Sequence, residues 1–149
     1  MVFENQAFYA GVYRHNLDAK GRLTIPSKWR FQGDEADIYL GLPNPAGFIS
    51  VFPPKRIREL EEKLRSIKIT DLEGQQRMTA FLSMTQKFGC DGAGRINLNE
   101  DLIDHAGIAK GAVLVGAMSW FNIYSAEVYD ALMPKTREDK AALFKDFDF

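Results

Sequence analysis

Apolar and polar residues alternate with a period of two over several short stretches of the chain, and follow a helical period over fewer, longer ones. Phe8 to Leu17 reads as a strand, and Asp18-Ala19-Lys20-Gly21 as a tight turn in which glycine takes a positive φ at little cost. Arg22 to Ile25 reads as the returning strand of a hairpin, with Leu23 and Ile25 on one face and Arg22 and Thr24 on the other. Pro26-Ser27 starts a short helix with Ser27 as its cap. A polar, acidic loop from Gln32 to Asp37 leads into two apolar strands, Ile38–Leu42 and Gly47–Phe52, turned by Pro43-Asn44-Pro45. Behind Pro53-Pro54, the residues Ile57, Leu60, Leu64 and Ile67 fall at helical spacing and predict a helix to about Lys68.

Thr70 and Glu73 have capping-box spacing for a further helix running to Leu82. From Met84 the order of elements begins again. A strand Met84–Cys90, a turn Asp91–Gly94 and a strand Arg95–Leu98 precede Asn99, a helix cap. Strands Ala112–Ala117 and Trp120–Tyr124 follow, then a last helix capped by Ser125 and reaching Leu132. The residues repeat along with the pattern. DAKGRLTIP (Asp18–Pro26) returns 73 residues later as DGAGRINLN (Asp91–Asn99), counting from Asp18 to Asp91. Lys87 stands where Arg14 does, and Trp120, Phe121, Ile123 and Tyr124 echo Phe48, Ile49, Val51 and Phe52.

One repeat of roughly 50 residues buries too little surface to be comfortably stable alone, so the two copies are expected to pack as a pseudo-dimer. The division that follows is a first repeat over 8–66, a linking helix over 67–83, a second repeat over 84–133, and a C-terminal tail over 134–149. Residues 1–7 read as a short leader. The tail carries four basic and four acidic residues and reads as mobile.

Composition bounds the class. The 149 residues are 46% hydrophobic and 26% charged, as in ordinary soluble domains. No apolar run approaches the ~20 residues that span a bilayer, and a signal-peptide pattern is missing from the first residues. Cys90, the single cysteine, excludes an internal disulfide framework and fits a reducing cytoplasm. A net charge of −1 weighs against a nucleic-acid partner, but its distribution weighs the other way. Residues 1–33 carry a surplus of +3, while residues 100–133 carry −4. The basic character gathers around the first turn.

Turn chemistry accounts for Asp18, Gly21, Asp91 and Gly94: aspartate accepts a backbone N–H and glycine supplies the left-handed residue. It does not call for Arg22 or Arg95. Those arginines can pair with the turn aspartates, yet a surface ion pair adds little stability. A guanidinium is also a planar fork for phosphate oxygens or guanine edges, and an aspartate beside it can hold the fork in position. Lys20 in the same turn and Arg14 on the incoming strand would complete a three-cation tip for nucleic acid. In the second copy Ala93 replaces Lys20, leaving Lys87 and Arg95, so that tip is expected to bind more weakly.

The run Asn16-Leu-Asp-Ala-Lys-Gly-Arg-Leu-Thr-Ile-Pro26, with Asp91-Gly-Ala-Gly-Arg95 in a second copy, resembles the MraZ family of bacterial transcriptional regulators over roughly Phe8 to Met133. The resemblance implies an α+β fold. It consists of two tandem AbrB-like swapped-hairpin β-barrel repeats with flanking helices, in a ring-shaped homo-oligomer. It also implies binding to double-stranded DNA at short direct repeats upstream of the cell-division and cell-wall gene cluster, as a repressor, with a nucleoid-associated location in the cytoplasm. The DNA-contacting motif maps onto Asp18 to Arg22 and Asp91 to Arg95. Two departures stand out: the leader before Phe8, and Ala10 where family members often carry a basic or larger residue.

The rest of the chain supports no other chemistry. Six cations against three glutamates on residues 54–68 describe a solvated outer face behind an apolar stripe. His15 and His105 stand in unrelated contexts, Cys90 has no evident base, and neither a zinc spacing nor a glycine-rich phosphate cradle is present. No enzyme, metal, cofactor or small-molecule substrate is implied. Phe48, Phe52, Phe81, Trp120, Phe121, Tyr124 and Tyr129 are core candidates, some of them suited to a subunit interface. The rival reading from another class is a ring-forming, antitoxin-like scaffold whose basic tips bind an acidic protein.

Overall fold

A computed structural model describes residues 8–30 and 39–147; the expected leader, the acidic loop Gln32–Asp37 and Ile38 lie outside the described residues. The first copy supplies β1 (Val12–Asn16), β2 (Arg22–Thr24), a 3-10 turn (Ser27–Trp29), β3 (Tyr39–Asn44), β4 (Phe48–Phe52) and α1 (Pro54–Arg65). After α2 (Leu72–Ser83) the second copy supplies β5 (Gln86–Phe88), β6 (Arg95–Asn97), α3 (Glu100–Ala106), β7 (Gly111–Gly116), β8 (Phe121–Ser125) and α4 (Ala126–Glu138). A short α5 (Lys140–Leu143) follows. The fold is mixed α+β. Its strands form an antiparallel six-stranded sheet, β1-β7-β8-β4-β3-β5, and a separate two-stranded ladder, β2-β6.

The arms of each turn do not pair with one another as the hairpin reading expects. Asp18 N–H donates to the Arg22 carbonyl at 3.0 Å, closing the turn. Beyond that bond the arms part. Leu17 N–H donates to the Lys110 carbonyl, β1 runs along β7 with Tyr13 opposite Leu114, and β2 runs along β6 with Leu23 opposite Ile96. The second turn closes identically, Asp91 N–H to Arg95 carbonyl at 2.8 Å, and β5 joins β3 with Phe88 opposite Tyr39. Burial drives the exchange. A three-residue arm is too short to bury its apolar face in a hairpin of its own. Paired across the copies, Leu23 and Ile96 are fully buried. Burying each contributes on the order of 1.5–3 kcal/mol.

The period-two alternation gives the large sheet two faces. One face holds the main core, where Ile49, Val51, Leu114, Phe121 and Ile123 pack with Leu23, Ile25, Trp29, Ile96 and Leu102. Val113 and Tyr124, on the other face, pack with Tyr129 of α4 and the half-buried Phe48. The Arg56 guanidinium of α1 lies over the adjoining rings of Phe52 and Trp120, 5.1 and 4.9 Å from their centroids.

Local cap chemistry follows the sequence at two ends and departs from it at two. Asn99 Oδ1 accepts from Leu102 N–H at 2.9 Å, and Ser125 Oγ from Val128 N–H at 3.1 Å. The cap of α2 is Asp71 rather than Thr70, accepting from Gly74 N–H at 2.9 Å. Pro26 precedes the 3-10 turn, and Ser27 is the first residue inside it. At the C-terminus, α4 runs past Leu132 through Pro134 to Glu138, and α5 stands where a mobile tail was expected. Pro134 removes one N–H, whose partner would have been the carbonyl of the exposed Asp130, and water can satisfy that group.

Because β1, β2, β5 and β6 each take their partner from the other copy, residues 1–68 or 84–149 alone should be poorly folded or self-associated, and mixing the two should restore cooperative melting. A monomeric 1–68 fragment with a sharp thermal transition would contradict the exchange.

Candidate nucleic-acid interface

Each turn is tied by its aspartate. Asp18 Oδ1 accepts the backbone N–H groups of Lys20 (2.9 Å) and Arg22 (2.8 Å), and Oδ2 accepts Arg22 Nε–H (2.7 Å). In the second copy Asp91 Oδ1 accepts from Ala93 and Arg95 N–H (both 2.9 Å), and Oδ2 from Arg95 Nε–H (2.9 Å). Both arginines are thus held by the inner nitrogen. Among the described residues their terminal nitrogens make no hydrogen bond.

Gly21 and Gly94 adopt φ of +78° and +77° at the corners. Close packing adds a second reason for glycine there. A Cβ at Gly21 would sit 2.9 Å from the Leu98 carbonyl oxygen, and one at Gly94 would overlap the Arg30 guanidinium. Gly21 carbonyl accepts from Leu98 N–H and Gly94 carbonyl from Ile25 N–H, each at 2.9 Å, so each turn is bonded to the other copy.

The ladder brings the two motifs together. Arg22 lies opposite Asn97 and Thr24 opposite Arg95, all four on the face away from the buried Leu23 and Ile96. Arg22 and Arg95 line a common cleft of about 270 Å³ with Gly89, Cys90, Asp91 and Asn97. Lys20 is exposed at the apex of its turn.

Arg14 and Lys87 are not in that cleft. They sit on β1 and β5, the opposite edge strands of the large sheet. Arg14 Nη2 is 2.5 Å from Asp130 Oδ1, and its guanidinium lies 5.3 Å from the Tyr129 ring centroid. The three-cation tip expected of the first copy therefore reduces to Lys20 and Arg22, because α4 supplies a carboxylate that holds Arg14.

Over most of their length, known proteins resemble this chain. The transcriptional regulator MraZ of Lactobacillus johnsonii is 32% identical over 141 residues, 94% of this chain and 96% of that protein. That of Natranaerobius thermophilus is 33% identical over 144 residues, covering 94% and 99%. The family model described as "MraZ protein, putative antitoxin-like" matches residues 81–147.

The chain belongs to the MraZ family.

Within this MraZ chain, sequence reasoning set Thr24 beside Arg22 on the outward face, and did not single out Asn97, its counterpart on β6, or Arg30. The alternation within β6 marks Asn97. Arg30 gives no local signal, since the side chain reaches the turn of the other copy. Among the described residues, no helix is long and apolar enough to cross a membrane, and no group of three or more metal-ligating side chains occurs.

The turns also carry a pH signature. The Arg22 backbone N–H, then its side chain and the Lys20 N–H, hold Asp18 below its ordinary pKa; the Arg95 N–H leads the same effect on Asp91. With folded-state values below the unfolded ~3.9, the contribution of these bonds is complete above that pH. It disappears as pH falls through the lowered values. Carboxyl NMR titration should show both groups still ionised at a pH where most surface aspartates are protonated. Ordinary titration midpoints would refute the assignment.

Proposed function

We propose that this protein regulates transcription by binding double-stranded DNA through the outer face of the β2–β6 ladder. The supporting observation is that two identically built Asp–Arg forks stand side by side on a two-stranded ribbon whose opposite face is anchored in the core. A two-stranded ribbon fits the major groove, and an arginine fork reads guanine or grips phosphate. In this reading Arg22 and Arg95 are the central contacts and Lys20 a phosphate contact. Arg14 and Lys87, on the edge strands, belong to the periphery. Asp18, Gly21, Asp91 and Gly94 orient the turns.

The exchange of strands between copies supports a tandem AbrB-like swapped-hairpin fold, with the copies as a pseudo-dimer over 8–66 and 84–133. The finer reading is a cytoplasmic, nucleoid-associated repressor acting on short direct repeats before the cell-division and cell-wall genes. A ring-shaped homo-oligomer would engage several repeats at once, so that modest contacts add by multivalency.

A duplex from upstream of the protein's own gene and a scrambled duplex, titrated across a salt series, test this. Wild type should prefer the first, with log K falling at about 0.9 per neutralised phosphate in log[salt]. Arg22→Ala should cost ~1–3 kcal/mol per engaged tip and abolish specific binding at physiological salt with fold and assembly intact. Lys20→Ala should flatten the salt slope without changing which duplex is preferred. Equal binding by wild type and Arg22→Ala would defeat the reading, and salt-dependent capture of an acidic protein without duplex preference would favour the scaffold instead.

A further inference from the structure

The two turns have the same backbone and different cations. Turn one carries Lys20 beside Arg22, whereas turn two has Ala93 beside Arg95. What packs on each turn differs in the opposite sense. Against Gly21 lie Asn97 Oδ1 and Ile103 Cδ1, 3.4 and 3.5 Å from where a Cβ would stand; against Gly94 lies the guanidinium of Arg30. Arg30 occupies the place equivalent to Ile103 in the 73-residue repeat.

We propose that Arg30, from the first copy, is the second phosphate-binding cation of the second turn and forms a composite site there with Arg95. The inference rests on the DNA reading above and names a contact within it. Arg30 is exposed, and among the described residues it makes no ion pair. Its Nε–H donates to the Ile25 carbonyl at 3.1 Å, while Ile25 N–H donates to the Gly94 carbonyl at 2.9 Å. One residue of β2's continuation therefore fixes both the cation and the turn it serves. As with Arg22 and Arg95, the inner nitrogen is occupied and the terminal nitrogens remain for a ligand.

The neighbouring charges run the same way. The 3-10 turn leading to Arg30 bears Lys28, whereas α3, which carries Ile103, bears Glu100, Asp101 and Asp104. Turn one thus has its own lysine beside an acidic helix, and turn two borrows an arginine from a basic segment. The second turn is not the weaker phosphate site that its Ala93 suggests.

The test uses the full-length protein and the upstream duplex across a salt series. Arg30→Gln removes the charge and keeps an amide donor for Ile25. It should weaken binding about as much as Lys20→Ala and make the salt slope shallower by about 0.9 for each second turn engaged. Adding Ala93→Lys to Arg30→Gln should restore affinity and slope, a rescue that a merely structural role of Arg30 would not show. Wild-type affinity and slope in Arg30→Gln, with Lys20→Ala impaired, would overturn the proposal and leave the DNA reading standing. A loss that Ala93→Lys fails to restore would also overturn it. Failure of wild type to bind any duplex would remove the DNA reading itself, and this proposal with it.

Discussion

Reciprocal docking of the two turns is the constraint on which the rest depends. Leu23 packs opposite Ile96, Gly21 carbonyl receives Leu98 N–H, and Gly94 carbonyl receives Ile25 N–H. Each three-residue strand has its ladder partner in the other copy, so each charged tip, closed by its own local bonds, is backed and positioned by the other copy. The same ladder fixes the direction of the arginines. A slip of one residue would turn Leu23 and Ile96 to solvent and Arg22 and Arg95 into the core, so burial of the apolar pair locks the register. The polar outer face is thus positioned by the apolar inner one.

Within that frame, the Asp–Arg pairs matter for position more than for stability. Exposed ion pairs contribute little to folding. Here, however, each aspartate accepts two backbone N–H groups besides the arginine, so the carboxylate is held by the turn and in turn holds the guanidinium. The fork loses less side-chain freedom on meeting a ligand than a free arginine would. On the DNA reading, turn chemistry and ligand chemistry are therefore not alternatives at Asp18 and Asp91. The bonds that close the turn also aim the fork.

Features set by neighbours in sequence were legible in it; features set by distant contacts were not. The doubled motif, the Asn99 and Ser125 caps and the period-two alternation of β2 all depend on residues within a few positions of one another. Strand exchange depends on partners 45 to 103 residues away, and alternation alone is silent about which strand sits opposite. Arg14 illustrates the cost. Its place on the incoming strand suggested the tip, but its side chain meets Asp130, 116 residues on. α4 outruns the end at Leu132 read from the sequence, because the one bond lost at Pro134 frees only the carbonyl of the exposed Asp130, which water can satisfy.

Arg30 shows what a repeat conceals. Aligning the copies draws attention to positions that agree, yet the chemistry that distinguishes the turns lies where they disagree: Lys20 against Ala93, Lys28 against Asp101, Arg30 against Ile103. Because the copies exchange strands, a substitution in one appears beside the turn of the other. A two-fold symmetric reader suits a palindromic site, since protein symmetry is mirrored in the DNA. This ladder is two-fold in its backbone only. One end combines the apical Lys20 with acidic α3, and the other combines Ala93 with the basic segment around Arg30. On the DNA reading, such a ladder has a direction, and successive copies along direct repeats would all face the same way.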